Sequence, residues 1–210
     1  MARLSSTAAI LFALVVFSAC ANPASDKSKA VTREAVKVSS ASPVVAAQKY
    51  SITPENSKIE FVGSKVTGSH NGSFEKFTGN IDFSGHVETS KVTINIETAS
   101  VKTDAGDLTK HLQTPDFFDV AKYPQGTFES TAIKTGGDKG ASHTVSGNLS
   151  LHGVTKSITF PATIAVEAGA ITVNSTFAIN RKDFGINYAG AADNLIRDEV
   201  VMTLKVRAVK

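Results

Sequence analysis

From residue 57 to the C-terminus the chain alternates apolar and polar residues with a period of two, and few folds accommodate so much of that pattern. Apolar positions recur at Ile59 and Phe61; at Phe77, Ile81 and Phe83; and at Val92, Ile94 and Ile96. They continue through Phe128, Ser130 and Ala132, then Val145, Gly147, Leu149 and Leu151, then Ile158, Phe160, Ala162, Ile164 and Val166. The last two runs are Ile171, Val173, Ser175, Phe177 and Ile179, and Val200, Met202, Leu204, Val206 and Ala208. The opposite face is Thr, Ser, Lys, Glu and Asn, as in an antiparallel sheet with one buried and one wet side. Turns are expected at Ser69-His70-Asn71-Gly72, Ser84-Gly85, Gly136–Gly140, His152-Gly153 and Ala168-Gly169. Short turns make consecutive runs neighbours, and eight such strands abolish their edges by closing on themselves. The expected fold is therefore all-β: an eight-stranded antiparallel up-and-down barrel of the lipocalin-like kind over residues 48–210.

Two stretches interrupt the alternation. Asp104–Ala121 is predicted as a short helical insertion of two turns, with Thr114 as a cap and Pro115 as a first helical residue for the second. Asn180–Asn194, rich in Gly and Asn, reads as a long loop pinned by an Arg181–Asp183 pair.

The N-terminus reads as an address. Arg3, the apolar run Ala8–Phe17 and the small residues Ser18-Ala19 make residues 1–19 a signal peptide. The chain's one cysteine, Cys20, follows at once, and Phe17-Ser18-Ala19-Cys20 resembles a bacterial lipobox, which implies an acylated Cys20 and a membrane anchor. Ala21 after the cysteine resembles lipoproteins of the outer rather than the inner membrane. An ordinary secretory signal cleaved nearby is the other reading. Residues 21–47 contain no Phe, Leu, Ile, Gly or Tyr, too little apolar surface to offset ordering entropy, and are expected to be a flexible tether.

Charge and chemistry narrow the function. Residues 1–47 carry five basic and two acidic groups, which is the whole of the +3 net charge, so the barrel is neutral and no nucleic-acid partner is expected. His70, His86, His111, His143 and His152 lack metal-ligand spacing, no nucleophile motif is present, and Asp198 and Glu199 fall on opposite faces of a strand. Neither an enzyme nor a metal site is expected. Strands of about eleven to fifteen residues run roughly 35–50 Å, above the usual length. An eight-stranded barrel is either filled or holds one slim ligand. Length favours a narrow apolar tunnel, and Gly147, Ala132, Ala162 and Ser175 on the apolar faces would leave it room. Its wall candidates are Phe74, Phe77, Phe117, Phe118, Phe128, Phe160 and Phe177, each of which also suits plain core. His111, beside Leu112 in the helical insertion, either faces a ligand head group or closes the barrel end as a hydrogen-bonded structural histidine.

These residues also carry a family resemblance. Tyr50-x-Ile52, Ser57-x-Ile59-x-Phe61, Gly72-x-Phe74-x-x-Phe77-x-Gly79, Ala99-Ser100-Val101-x-Thr103, His111-Leu112 and Asp116-Phe117-Phe118-Asp119 occur in that order. Tyr123-Pro124, Phe128-x-Ser130, Gly147-x-Leu149-x-Leu151-x-Gly153-Val154-Thr155 and Arg181-x-Asp183-Phe184-Gly185 follow. The set closely resembles the YceI-like family of secreted lipid-binding barrels, with Tyr50, Thr53 and Asn56 standing where that family usually has Trp, Asp and His. The resemblance implies a bound isoprenoid, such as that of a quinone, or another amphiphilic lipid as ligand, with no other cofactor. The expected function is non-covalent binding, sequestration or transport of that lipid in the bacterial periplasm. The rival is a structural or stress-related envelope lipoprotein whose filled barrel binds a protein partner; pairing as a homodimer is left open.

Overall fold

The computed structural model describes residues 22–37, 47–192 and 194–210. The expected signal peptide and Cys20 lie outside the described residues. In chain order the elements are β1 (Ser28–Lys29), β2 (Val31–Glu34), β3 (Gln48–Ile52), β4 (Lys58–Lys65), β5 (Gly68–Phe74), β6 (Phe77–Phe83), β7 (Lys91–Glu97), β8 (Val101–Thr103) and α1 (Gly106–Leu112). They continue with β9 (Gln125–Thr135), β10 (His143–Leu151), β11 (Val154–Glu167), β12 (Ala170–Asn180), β13 (Gly190–Ala191), β14 (Asn194–Leu195) and β15 (Glu199–Val209). Strands β3, β6, β7, β9, β10, β11, β12 and β15 form a closed antiparallel ring, the eight-stranded barrel that the alternation predicts.

Three of the long strands are bent rather than straight. β3 and β4 act as one strand broken at residues 53–57, pairing β6 below the bend, β5 above it and β15 on the other side. β5 and β6 break at Glu75-Lys76, and β7 and β8 break alongside, where the Glu75 and Lys76 amides donate to the Ser100 carbonyl and hydroxyl. The bends carry β4, β5 and β8 outward and widen one end of the barrel. Gly72 belongs to this widening. The expected turn at Ser69–Gly72 is instead strand, and the chain reverses at Val66-Thr67. Gly72 pairs with Phe61, whose ring tip lies 2.2 Å from where a Cβ on residue 72 would sit. A glycine that looks like a turn residue is a seat for an aromatic ring.

In the expected helical insertion, α1 is a single short helix, and Thr114–Asp119 forms hydrogen-bonded turns rather than a second one. The predicted long loop holds a 3₁₀ turn at Arg181–Phe184 and the small β13–β14 hairpin.

The reading of residues 21–47 as a flexible tether is corrected over the described part. β11 and β12 pair with each other only between Thr163–Glu167 and Ala170–Asn174. Beyond that point β1 lies parallel against Phe177 and Ala178 of β12, while β2 lies antiparallel against Lys156–Thr159 of β11. The N-terminal segment is thus inserted into a gap in the barrel wall. Ala24 packs against Val62, Ala178 and Val201; Lys29 pairs with Glu199; and Asn148 accepts from the Val36 amide and donates to its carbonyl. Backbone pairing, not large side chains, orders the segment, so composition does not reveal it.

Inside, the barrel is filled at its waist. Phe160 and Phe177 stack at 4.2 Å with planes 10° apart, and Phe128 packs on Phe160 at 5.8 Å. Gly147 leaves no room there, because the Phe128 ring lies 2.3 Å from its notional Cβ.

Candidate functional site

Above this aromatic floor, at the end widened by β4, β5 and β8, lies a cavity of about 390 Å³. That is within the ~300–1,000 Å³ usual for small-molecule sites. Toward the opposite end lies a pocket of about 20 Å³, walled by Ile81, Phe83, Ile133, Ile164 and Ile171 among others. One end of the barrel is therefore a container and the other is core.

Strands supply most of the container's wall. Phe61 and Gly63 come from β4, Phe74 from β5, Ile96 from β7, Gly126 from β9, Leu149 and Leu151 from β10, Ile179 from β12, and Val200 and Met202 from β15. The insertion lids it with Leu108, His111, Leu112, Phe117 and Phe118, and the segment after β12 adds Ile186, Tyr188 and Ile196. Of the sequence candidates, Phe74, His111, Leu112, Phe117 and Phe118 meet at this cavity. Phe77, Phe128, Phe160 and Phe177 do not line it; Phe128, Phe160 and Phe177 form the packed layer beneath the lining residues Leu149, Leu151 and Met202, and Phe77 is buried in the same cluster as Ile81 and Ile94. Ala132, Gly147, Ala162 and Ser175, expected to leave room, are not in its wall; the small residues that are include Gly63, Ser64, Gly126, Gly190 and Ala191. Phe61, Tyr188 and Met202 are lining residues that sequence reasoning did not single out. Phe61 and Met202 carried the alternation signal, whereas Tyr188 sits in a Gly/Asn-rich stretch with no periodicity.

Aromatic contacts tie the lid to the body. Phe118 meets Phe74 at 5.5 Å and Phe74 meets Phe61 at 5.8 Å. His111 packs edge-on against both Phe117 and Tyr188 at 5.0 Å, and Phe117 meets Tyr188 at 5.4 Å, so the insertion and the post-β12 segment touch across the mouth. His111 Nε2 bonds Asp116 at 2.8 Å, and the residue also lines the cavity.

Polar groups gather at the rim. His70 Nδ1 bonds Asp104 at 2.8 Å, and Asp104 also accepts from the Asn71 amide. The Asn71 amide, with His70 beside it, holds the Asp104 carboxyl below its ordinary range. Ser64 is buried in the lining, and its hydroxyl has no hydrogen-bond partner among the described residues.

Arg181 is the buried cation of the site. Its guanidinium donates to the carbonyls of Ile186 (2.7 Å), Arg197 (3.2 Å) and Ile196 (3.4 Å), and reaches Asp198 at 3.4 Å. The partner is Asp198 rather than the expected Asp183, and Asp198 also pairs with Lys182 at 3.0 Å. Burial lowers the Arg181 pKa, and Asp198 opposes that shift. Arg181 thus fixes the segment that supplies Tyr188 and Ile196 to the mouth. Arg181→Gln leaves several of these acceptors unpaired and should cost about 1–3 kcal/mol in denaturant unfolding.

Comparison with known proteins agrees with this architecture. A family model described as a YceI-like domain matches residues 50–208. A UPF0312 protein of Pseudomonas putida strain W619 is 39% identical over 132 residues, covering 60% of this chain and 68% of that protein. Among solved structures, BcnA of Burkholderia cenocepacia has a TM-score of 0.67 at 24% identity over 75% of this chain and 99% of its own. A polyisoprenoid binding domain from Saccharophagus degradans, implicated in plant cell wall breakdown, has a TM-score of 0.61 at 21% identity over 79% and 99%. The YCEI protein of Campylobacter jejuni gives 0.55 at 27% identity over 66% and 84%.

Proposed function

The chain belongs to the YceI-like family, and on that premise we propose that it binds one long-chain isoprenoid or similar amphiphilic lipid non-covalently in the mouth cavity. The observation that carries this reading is a closed barrel with an apolar container of about 390 Å³ at one end, rimmed by histidines and a buried hydroxyl without a partner among the described residues. The apolar chain leaves water at ~25 cal/mol per Å² buried, and the few polar rim groups orient the head. Ser64, His70 and His111 are the head-group candidates. The polyisoprenoid binding domain among the structural neighbours supports the same ligand class. The reading is of a binding protein, not an enzyme. The cavity favours it over a filled barrel that works only through its outer surface.

Organic extraction of the purified protein followed by mass spectrometry should release a long-chain lipid. Protein that carries none, and takes up none when offered one, overturns the reading.

The cellular setting we propose is the bacterial periplasm, with residues 1–19 removed and an acylated Cys20 holding the barrel at a membrane, the outer one on the evidence of Ala21. There it would sequester or carry its lipid. Cys20→Ser should move the protein from the membrane to the soluble fraction; unchanged fractionation counts against the anchor.

A further inference from the structure

Large apolar side chains are exposed at few places on the described surface, and three of them ring the cavity mouth. Val66 is 47% exposed, Leu195 50% and Tyr188 38%. The first two are held side by side, because the Val66 amide donates to the Leu195 carbonyl at 3.2 Å and Lys65 bridges to Ile196. Lys65, Tyr188 and Ile196 line the cavity, so this exposed patch is continuous with its wall. Lys65 makes no ion pair among the described residues, which leaves its ammonium available to a phosphate head group. Val31 and Val36 lie on the inserted N-terminal segment, and Val166 is the one at the far end of the barrel. Apolar tips, a tyrosine and an unpaired lysine around one opening are the composition of a surface that sits at a lipid–water boundary.

The course of the N-terminus points the same way. Ala24 is seated against Val62, Ala178 and Val201, each in the mouth-proximal half of its strand, and Lys29 pairs with Glu199 at the mouth end of β15. The described chain thus begins, at Asn22, beside the mouth-proximal part of the wall, and the apolar run Ala8–Phe17 precedes it in the sequence. Cys20 is two residues from Asn22, a reach of at most about 7 Å. An anchor there would hold the mouth, not the closed end, toward the membrane.

We propose that the cavity mouth docks on a lipid bilayer through Val66, Tyr188 and Leu195, with Lys65 at head-group level, and that the ligand passes directly between bilayer and cavity. The proposal rests on the lipid-binding reading above, since a ligand of that class is dissolved in membranes rather than in water.

The chain contains no tryptophan, so a single introduced one reports its own surroundings. In the full chain carrying Cys20→Ser, Leu195→Trp should shift its emission to the blue on addition of phosphatidylethanolamine–phosphatidylglycerol vesicles, and Val166→Trp should not. In the same background Val66→Asp and Leu195→Asp should each weaken vesicle binding by about tenfold, the equivalent of one exposed aliphatic side chain left in water. They should also slow uptake of geranylgeraniol from those vesicles by a similar factor, while leaving uptake from detergent micelles and thermal stability unchanged. Equal vesicle affinity for parent and Asp variants, or equal shifts at residues 195 and 166, overturns the docking proposal and turns the patch into a candidate protein contact. Failure to take up geranylgeraniol from either source counts against the lipid-binding reading, and the tryptophan shift still decides the docking.

Discussion

Phe160→Ala should cost about 3–5 kcal/mol of folding free energy, the range for removing a large aromatic from a packed core. Phe160 is 4% exposed, stacks on Phe177 at 4.2 Å and supports Phe128 at 5.8 Å, so its loss opens a hole bordered by two rings. The barrel wall resists collapse into that hole, because β11 is held in register by β10, β12 by β15, and β1 and β2 pair with them across the gap between the two. Denaturant unfolding should show the whole loss in the midpoint, and the melting temperature should fall by roughly 10 °C. The floor separates the container from the far end, so the surviving folded protein should still hold lipid. Phe177→Lys, which buries an ammonium with no partner at the same place, should not fold. If either variant keeps full stability, the waist is not a packed floor and the tunnel runs the length of the barrel.

Gly63→Trp should do the reverse: abolish ligand binding and leave the fold intact. Gly63 lines the cavity, and nothing lies within 4 Å of where its Cβ would be, so the indole has only ligand space to enter. Replacing a glycine inside a strand removes its excess unfolded-state freedom, which adds about 0.5–1 kcal/mol of stability. Lipid recovered with the purified variant, or its affinity for an added prenol, should fall at least tenfold, about 1.4 kcal/mol. Gly147→Trp is the matching control. Its Cβ would meet the Phe128 ring at 2.3 Å and the Glu129 carbonyl oxygen at 2.6 Å, so that variant should fail by unfolding rather than by blocking. A stable Gly63→Trp protein with undiminished lipid places the ligand elsewhere.

The contrast between these two glycines marks how far sequence reading reaches. Alternation alone specifies the eight-stranded barrel, because a period of two with one apolar face admits few other closures. It assigns Gly63 and Gly147 to inward-facing positions without telling which one faces empty space, since that depends on where a ring from the neighbouring strand lies. For the same reason Phe74 and Phe177 read alike in sequence, yet one lines the container and the other plugs it. The turn expected at Ser69–Gly72 fails because Gly and Asn there serve pairing with β4 and the seating of Phe61, a tertiary requirement that overrides local turn preference. The motif His111-Leu112 and Asp116-Phe117-Phe118 is legible as a unit, and the structure folds it into one lid over the mouth.

The segment inserted between β11 and β12 makes the protein larger than the stretch its family model spans. A chain cut back to residues 50–208 would lose the two short strands that complete the wall and leave the free backbone of Lys156–Thr159 and of Phe177-Ala178 facing solvent. Unpaired edges of this kind recruit strands from other molecules. Residues 22–37 should thus guard against self-association, so that the trimmed protein forms larger, concentration-dependent oligomers than the longer chain at the same concentration.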